Sequence, residues 1–151
     1  LFAAACEVGP VLAERPATER AACRSFGLNL GMAFQLVDDM LDYGGDGEAL
    51  GKNIGDDFRE GKITLPIILA LRKADGDERA FWQRTLERGE RDVADFERAV
   101  TLLRHHGALE GTAALARRYG GAALAALAGF PDGAMKTALL DVVDFCLRRS
   151  H

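Results

Sequence analysis

No run of about 18 or more apolar residues occurs in this chain, so it offers no segment suited to crossing a membrane as a helix. The opening LFAAACEVGP has no basic stretch ahead of its apolar residues and does not read as a signal peptide. It reads as the tail of a helix that starts upstream of Leu1. Cysteine is scarce: Cys6, Cys23 and Cys146 are odd in number, far apart and outside any CxxC spacing. That argues against a disulfide frame or zinc site and for reduced thiols that pack in a cytoplasmic protein. No Lys/Arg block stands out against a net charge of −4, so neither nucleic acid nor an anionic membrane is suggested as a partner. No alternating strand pattern and no internal repeat is present.

What remains is ordinary globular material. The chain has 151 residues, 48% hydrophobic and 28% charged, which suits one core and one domain or part of one. Helical periodicity runs almost throughout, so the fold class expected is all-α. A helix tail from Leu1 to about Val8 ends at Gly9-Pro10, and one long helix spans about Ala17 to Asp42. Residues 44 to 61, rich in Gly, Lys and Asp, read as a loop. Further helices are expected over Thr64–Ala74, Asp77–Arg88, Asp92–His105, Ala108–Leu127 and Asp132–Arg148, broken at Gly89, Gly107 and Phe130-Pro131-Asp132-Gly133. The Ala-rich helix near residue 115 reads as scaffold, its small residues on a packed face. His105-His106 are assigned no chemistry, because adjacent helical residues point about 100° apart and do not chelate together.

The exceptional segment is FQLVDDMLDY, residues 34 to 43. Asp is a poor helix former and is rarely buried without a partner, yet Asp38, Asp39 and Asp42 interrupt an otherwise apolar helical run. At about 100° per residue, Asp38 and Asp42 lie roughly 40° apart and one turn apart, with Asp39 inside the same roughly 100° arc. Three carboxylates on one face repel one another, and loss of water raises the penalty, so a cation is called for or their pKa values rise. Hard oxygen donors suit Mg²⁺, which keeps several waters and is commonly completed by substrate phosphates. The competing reading is a helix end whose carboxylates face solvent before Gly44 and Gly45. A calcium loop starting at Asp42 fails, with Gly44 at its third position and no Glu at its twelfth.

Nine residues after Asp42 comes GKNIGDDFREGKITLP, residues 51 to 66. Lys52 and Lys62 bracket a segment with Asp56, Asp57 and Arg59. Lysine is a compact point charge suited to phosphate oxygens, and Gly51, Gly55 and Gly61 let the backbone turn and approach a ligand. Alone, this would pass for a charged surface loop.

Together, FQLVDDMLDY and GKNIGDDFREGKITLP resemble the trans-prenyl diphosphate synthases, in which a second aspartate-rich motif FQxxDDxLD precedes GKxxGxDxxxGKxTLP. The resemblance covers nearly the whole chain, and its discriminating part is about residues 34 to 66. It implies the C-terminal part of the isoprenoid-synthase helical bundle and a prenyltransferase that joins isopentenyl diphosphate to an allylic diphosphate, with Mg²⁺ and a homodimeric parent. By resemblance Asp38, Asp39 and Asp42 bind the Mg²⁺ that bridges to the allylic diphosphate, Asp38 being the foremost direct ligand. Lys52 and Lys62 contact that diphosphate, Gln35 lies near the allylic cation, and Asp57 matches the loop aspartate. The ending GKITLP is closer to long-chain synthases of the octaprenyl and decaprenyl kind than to farnesyl synthases.

The departures are as specific. The family's first aspartate-rich motif is absent; Asp56-Asp57 and Asp141 to Asp144 do not have its spacing. Residues 1–151 are therefore expected to be the C-terminal portion of a single polyprenyl synthase domain, one wall of its active site, and inactive alone. Two alternatives stay open: a non-catalytic regulatory or binding subunit of a prenyl synthase, and a terpene cyclase, in which the lysine loop is not expected.

Overall fold

The computed structural model describes residues 1–44 and 54–149. As expected it is all-α, with no strand among the described residues, and none of its described helices is long and apolar enough to cross a membrane. The chain forms two compact units, residues 1–37 with 114–151 and residues 38–113.

In the first unit, α1 (Phe2–Leu12) contains Pro10 rather than ending at Gly9-Pro10. Proline's fixed φ is helical, and its ring removes only the bond to the carbonyl of Cys6. Ala13 N–H to Gly9 O at 3.0 Å and Arg15 N–H to Pro10 O at 2.9 Å then close the helix. The long helix α2 (Ala17–Gly44) has 28 residues, about 42 Å at the usual rise. Two glycines let α1 lie close upon it. A Cβ at Gly27 would meet the Phe2 carbonyl and Cys6, and one at Gly31 would come within 2.9 Å of the Phe2 side chain. Phe26, Leu30 and Ala33 of α2 build the core with Ala123 and Leu127, and with Val143 and Cys146. Those residues lie on or beside α7 (Ala108–Ala126) and α8 (Ala134–Arg148). Small residues again set the spacing, since a Cβ at Gly120 would stand 2.7 Å from Leu147 Cδ1.

The second unit begins with the last turns of α2. The segment expected to be loop contains a short helix, α3 (Asp56–Glu60). Its acidic first turn matches the helix dipole, and Phe58 anchors it in the core. Next come α4 (Leu65–Leu71), with Pro66 in its first turn, and α5 (Gly76–Trp82). Asp75 and Glu78 form a reciprocal capping box at the start of α5. The helix then widens to a π turn, Gln83–Glu87, where the Thr85 hydroxyl donates to Phe81 O at 2.9 Å. A second capping box, Asp92 with Asp95, starts α6 (Val93–His105). Tyr43, Phe58, Ile67, Phe81, Trp82, Ala99 and Leu103 form this unit's core.

Candidate functional site

Asp38, Asp39 and Asp42 occupy the end of α2, with Asp39 8% exposed. Asp42 is engaged on three counts. Its Oδ1 accepts the main-chain N–H of Asp56 at 3.2 Å, its Oδ2 that of Asp57 at 3.0 Å, and its carbonyl that of Gly55 at 2.9 Å. Burial pushes the Asp42 carboxyl up, and the N–H of Asp57 pulls it the other way.

The residue before α3 is Gly55, left-handed at φ 86 and without a side chain to cap with. Asp42 does that work from 14 residues away in sequence. Gly61, at φ 73, ends the helix and turns the chain toward Lys62. Lys62 Nζ lies 2.8 Å from Asp57 Oδ1 and 2.8 Å from Glu60 Oε2, and its N–H donates to Asp57 O at 2.9 Å. Hydrogen bonds to Asp57 and then to Glu60 hold its ammonium above the ordinary lysine range. Arg59 points elsewhere, to Asp56 Oδ1 at 2.6 Å and Ile54 O at 2.9 Å.

Beneath these groups lies an aromatic support. Phe96 stacks with Tyr43 at 6.2 Å between centroids and tilts against Phe58 at 5.9 Å. Burial, then the Asp42 and Asp57 charges, push the Tyr43 phenol up, so it stays neutral at physiological pH. Arg91 Nη1 donates to Phe58 O at 2.9 Å and fixes the end of α3 from 33 residues away.

The sequence-expected residues thus fall into three groups. Asp38, Asp39, Asp42, Asp57 and Lys62 belong to one unit, and contacts shown above join the last three. Gln35 is exposed on α2 in the other unit. Lys52, with Gly51, lies outside the described residues. The aspartates offer oxygen donors alone, which fits a hard divalent cation such as Mg²⁺.

Three features of the site were not evident in the sequence: Asp42 as the cap of α3, Arg91 and Phe96. A D-x-x-E or D-x-x-D pattern marks the two capping boxes, but no local signal marks a cap supplied from a distant helix. The pair His105-His106 also departs from expectation. Ligand atoms of Glu78, His105 and His106 lie within 4.8 Å of one another, with His106 Nε2 2.8 Å from Glu78 Oε2. The divergence expected of adjacent helical residues fails because the pair sits at a helix end, where His106 is the cap residue after α6. Glu78 Oε2 also accepts the N–H of Asp75, so this contact ties the start of α5 to the end of α6.

Comparisons with known proteins point one way. The family model for polyprenyl synthetase matches residues 1–103. Octaprenyl diphosphate synthase of Escherichia coli is 36% identical over 151 residues, covering 100% of this chain and 46% of that protein. A polyprenyl synthase structure from Caulobacter crescentus, complexed with calcium and isoprenyl diphosphate, superposes with TM-score 0.91 at 50% identity, over 99% of this chain and 45% of that one. A decaprenyl diphosphate synthase structure from Rhodobacter capsulatus gives TM-score 0.88 at 41% identity, over 99% and 45%. The chain spans about half the length of the curated relatives it matches.

Proposed function

The chain belongs to the polyprenyl synthetase family, and on that premise we propose that it is the C-terminal portion of a trans-prenyltransferase. The whole enzyme condenses isopentenyl diphosphate with an allylic diphosphate to lengthen a trans-polyprenyl chain. It works in the cytoplasm, as a homodimer, with Mg²⁺. Its likeness to octaprenyl and decaprenyl diphosphate synthases supports the chain-elongation part of this reading. The observation that carries it is the chain of contacts from Asp42 through Asp57 to Lys62, which joins an aspartate-rich helix end to a lysine.

Ionising an allylic diphosphate puts negative charge on the departing oxygens, so groups aimed there stabilise the transition state more than the ground state. Bound Mg²⁺ supplies Lewis-acid neutralisation of that charge. Asp38, foremost, and Asp39 supply the acidic face that draws the metal, and Asp42 ties that helix end to α3. Lys62 and Lys52 meet the diphosphate oxygens, and Asp57 orients Lys62. Gln35 takes, from its place in the motif FQLVDDMLDY, the role of stabilising the allylic cation.

The test is made on the full-length protein that contains this chain. Purified, with Mg²⁺, an allylic diphosphate and isopentenyl diphosphate, it should release inorganic diphosphate and give a longer prenyl diphosphate by mass spectrometry. Hydrolysis without elongation, or cyclic hydrocarbon product, would reject the assignment.

A further inference from the structure

Asp42 is built into the backbone in a way a simple metal ligand is not. Both carboxylate oxygens are directed at main-chain N–H groups of α3, and its own carbonyl takes the next N–H upstream. The left-handed Gly55 cannot provide the cap, so α3 depends on a carboxylate delivered by another helix. From α3 the order continues outward: Asp57, whose N–H Asp42 holds, takes Lys62 Nζ on Oδ1.

We propose that Asp42 is a positioning residue: by capping α3 it sets the register of Asp57 and Lys62 against Asp38 and Asp39, and so places the lysine for a metal-bound diphosphate. The inference rests on the metal and diphosphate reading above. Two roles are thereby separated within one motif. Asp38 and Asp39 act by charge, whereas Asp42 acts through hydrogen-bond geometry, of which Asn keeps one accepting oxygen out of two, its amide nitrogen being a donor. A carboxylate moved outward by one methylene keeps its charge and loses that geometry.

Asp42→Asn and Asp42→Glu therefore rank oppositely under the two roles. Binding of inorganic diphosphate at saturating Mg²⁺ is measured by calorimetry on the full-length protein, with Asp42→Ala for reference. Loss of a cap of ordinary strength corresponds to about fivefold weaker binding, expected for Ala and Glu, with Asn recovering part of the wild-type affinity through its one accepting oxygen. Amide hydrogen exchange without metal supplies the second readout: Asp56 and Asp57 should both lose protection in the Ala and Glu variants, whereas in Asn the one N–H that its amide oxygen accepts should keep it. Glu equal to or better than Asn in binding, or amides left protected in Ala, overturns the proposal. Wild-type protein that binds no diphosphate with Mg²⁺ overturns the reading on which it rests, which the Asn and Glu ranking does not do.

Discussion

Lys62 Nζ stands 2.8 Å from Asp57 Oδ1, so the lysine proposed to meet a diphosphate is already held by a carboxylate before any ligand arrives. Its side chain remains 54% exposed, free to exchange partners at little expense. Replacing Lys62 with Met should weaken binding of Mg²⁺ with inorganic diphosphate by about tenfold or more, the scale of one charge-assisted hydrogen bond. Lys62→Arg should recover only part, since a planar fork does not sit where a compact ammonium does. Calorimetry on the full-length protein checks both, and an unchanged affinity in Lys62→Met removes the lysine from the site.

Asp38→Ala tests the acidic face itself. Turnover in the full-length protein should fall by orders of magnitude, on the order of the loss seen when a major source of transition-state charge stabilisation is removed. The helix content by circular dichroism should not change, because α2 is carried by its buried apolar residues. Activity that survives at near wild-type level rejects the metal role.

The helices were legible because their cause is local. Asp92, Gly107 and Gly133 announce boundaries in their own residue types, and the long α2 follows from an apolar stripe sustained over many turns. Asp38, Asp39 and Asp42 drew notice for the same local reason, as charges where the pattern asks for apolar groups. The rest was hidden because its cause is not local. Residues 56 to 60 look like loop until Asp42 is brought to their N–H groups, and Gly9-Pro10 looks like a stop until the carbonyls of both residues find partners further along the chain. Nothing near Gly55 in sequence says that Phe96 will lie against it.

That last contact gives a stability prediction with a matched opposite. Gly55 has φ 86, and a Cβ there would lie 2.7 Å from Phe96 Cε2, so Gly55→Ala meets both backbone strain and a ring packed among Tyr43 and Phe58. It should cost about 2 kcal/mol. Gly121 is helical and exposed in α7, and a Cβ there would have nothing within 4 Å, so Gly121→Ala should instead stabilise by up to about 1 kcal/mol. Chemical denaturation distinguishes them by sign; two changes of the same sign would discredit the local geometry at one of these sites.

Acid should act on the second unit through Asp95. Arg84 grips it with Nη2 to Oδ1 at 2.6 Å and Nη1 to Oδ2 at 2.9 Å, and its Oδ2 also accepts the N–H of Asp92 in the capping box. The Arg84 guanidinium first, and the Asp92 N–H after it, hold the carboxyl below the usual carboxylate range, against the burial that pushes it up. A carboxyl whose pKa is lower folded than unfolded contributes stability that is complete above its unfolded value, about 3.9, and lost as pH falls through the folded one. Asp95→Asn should therefore destabilise the protein near neutral pH, and the gap from wild type should close as pH drops below about 4. Thermal or urea unfolding between neutral pH and acid measures that gap. A difference that stays constant over the whole range would mean that Asp95 acts by shape and hydrogen bonding alone, with no part played by its charge against Arg84.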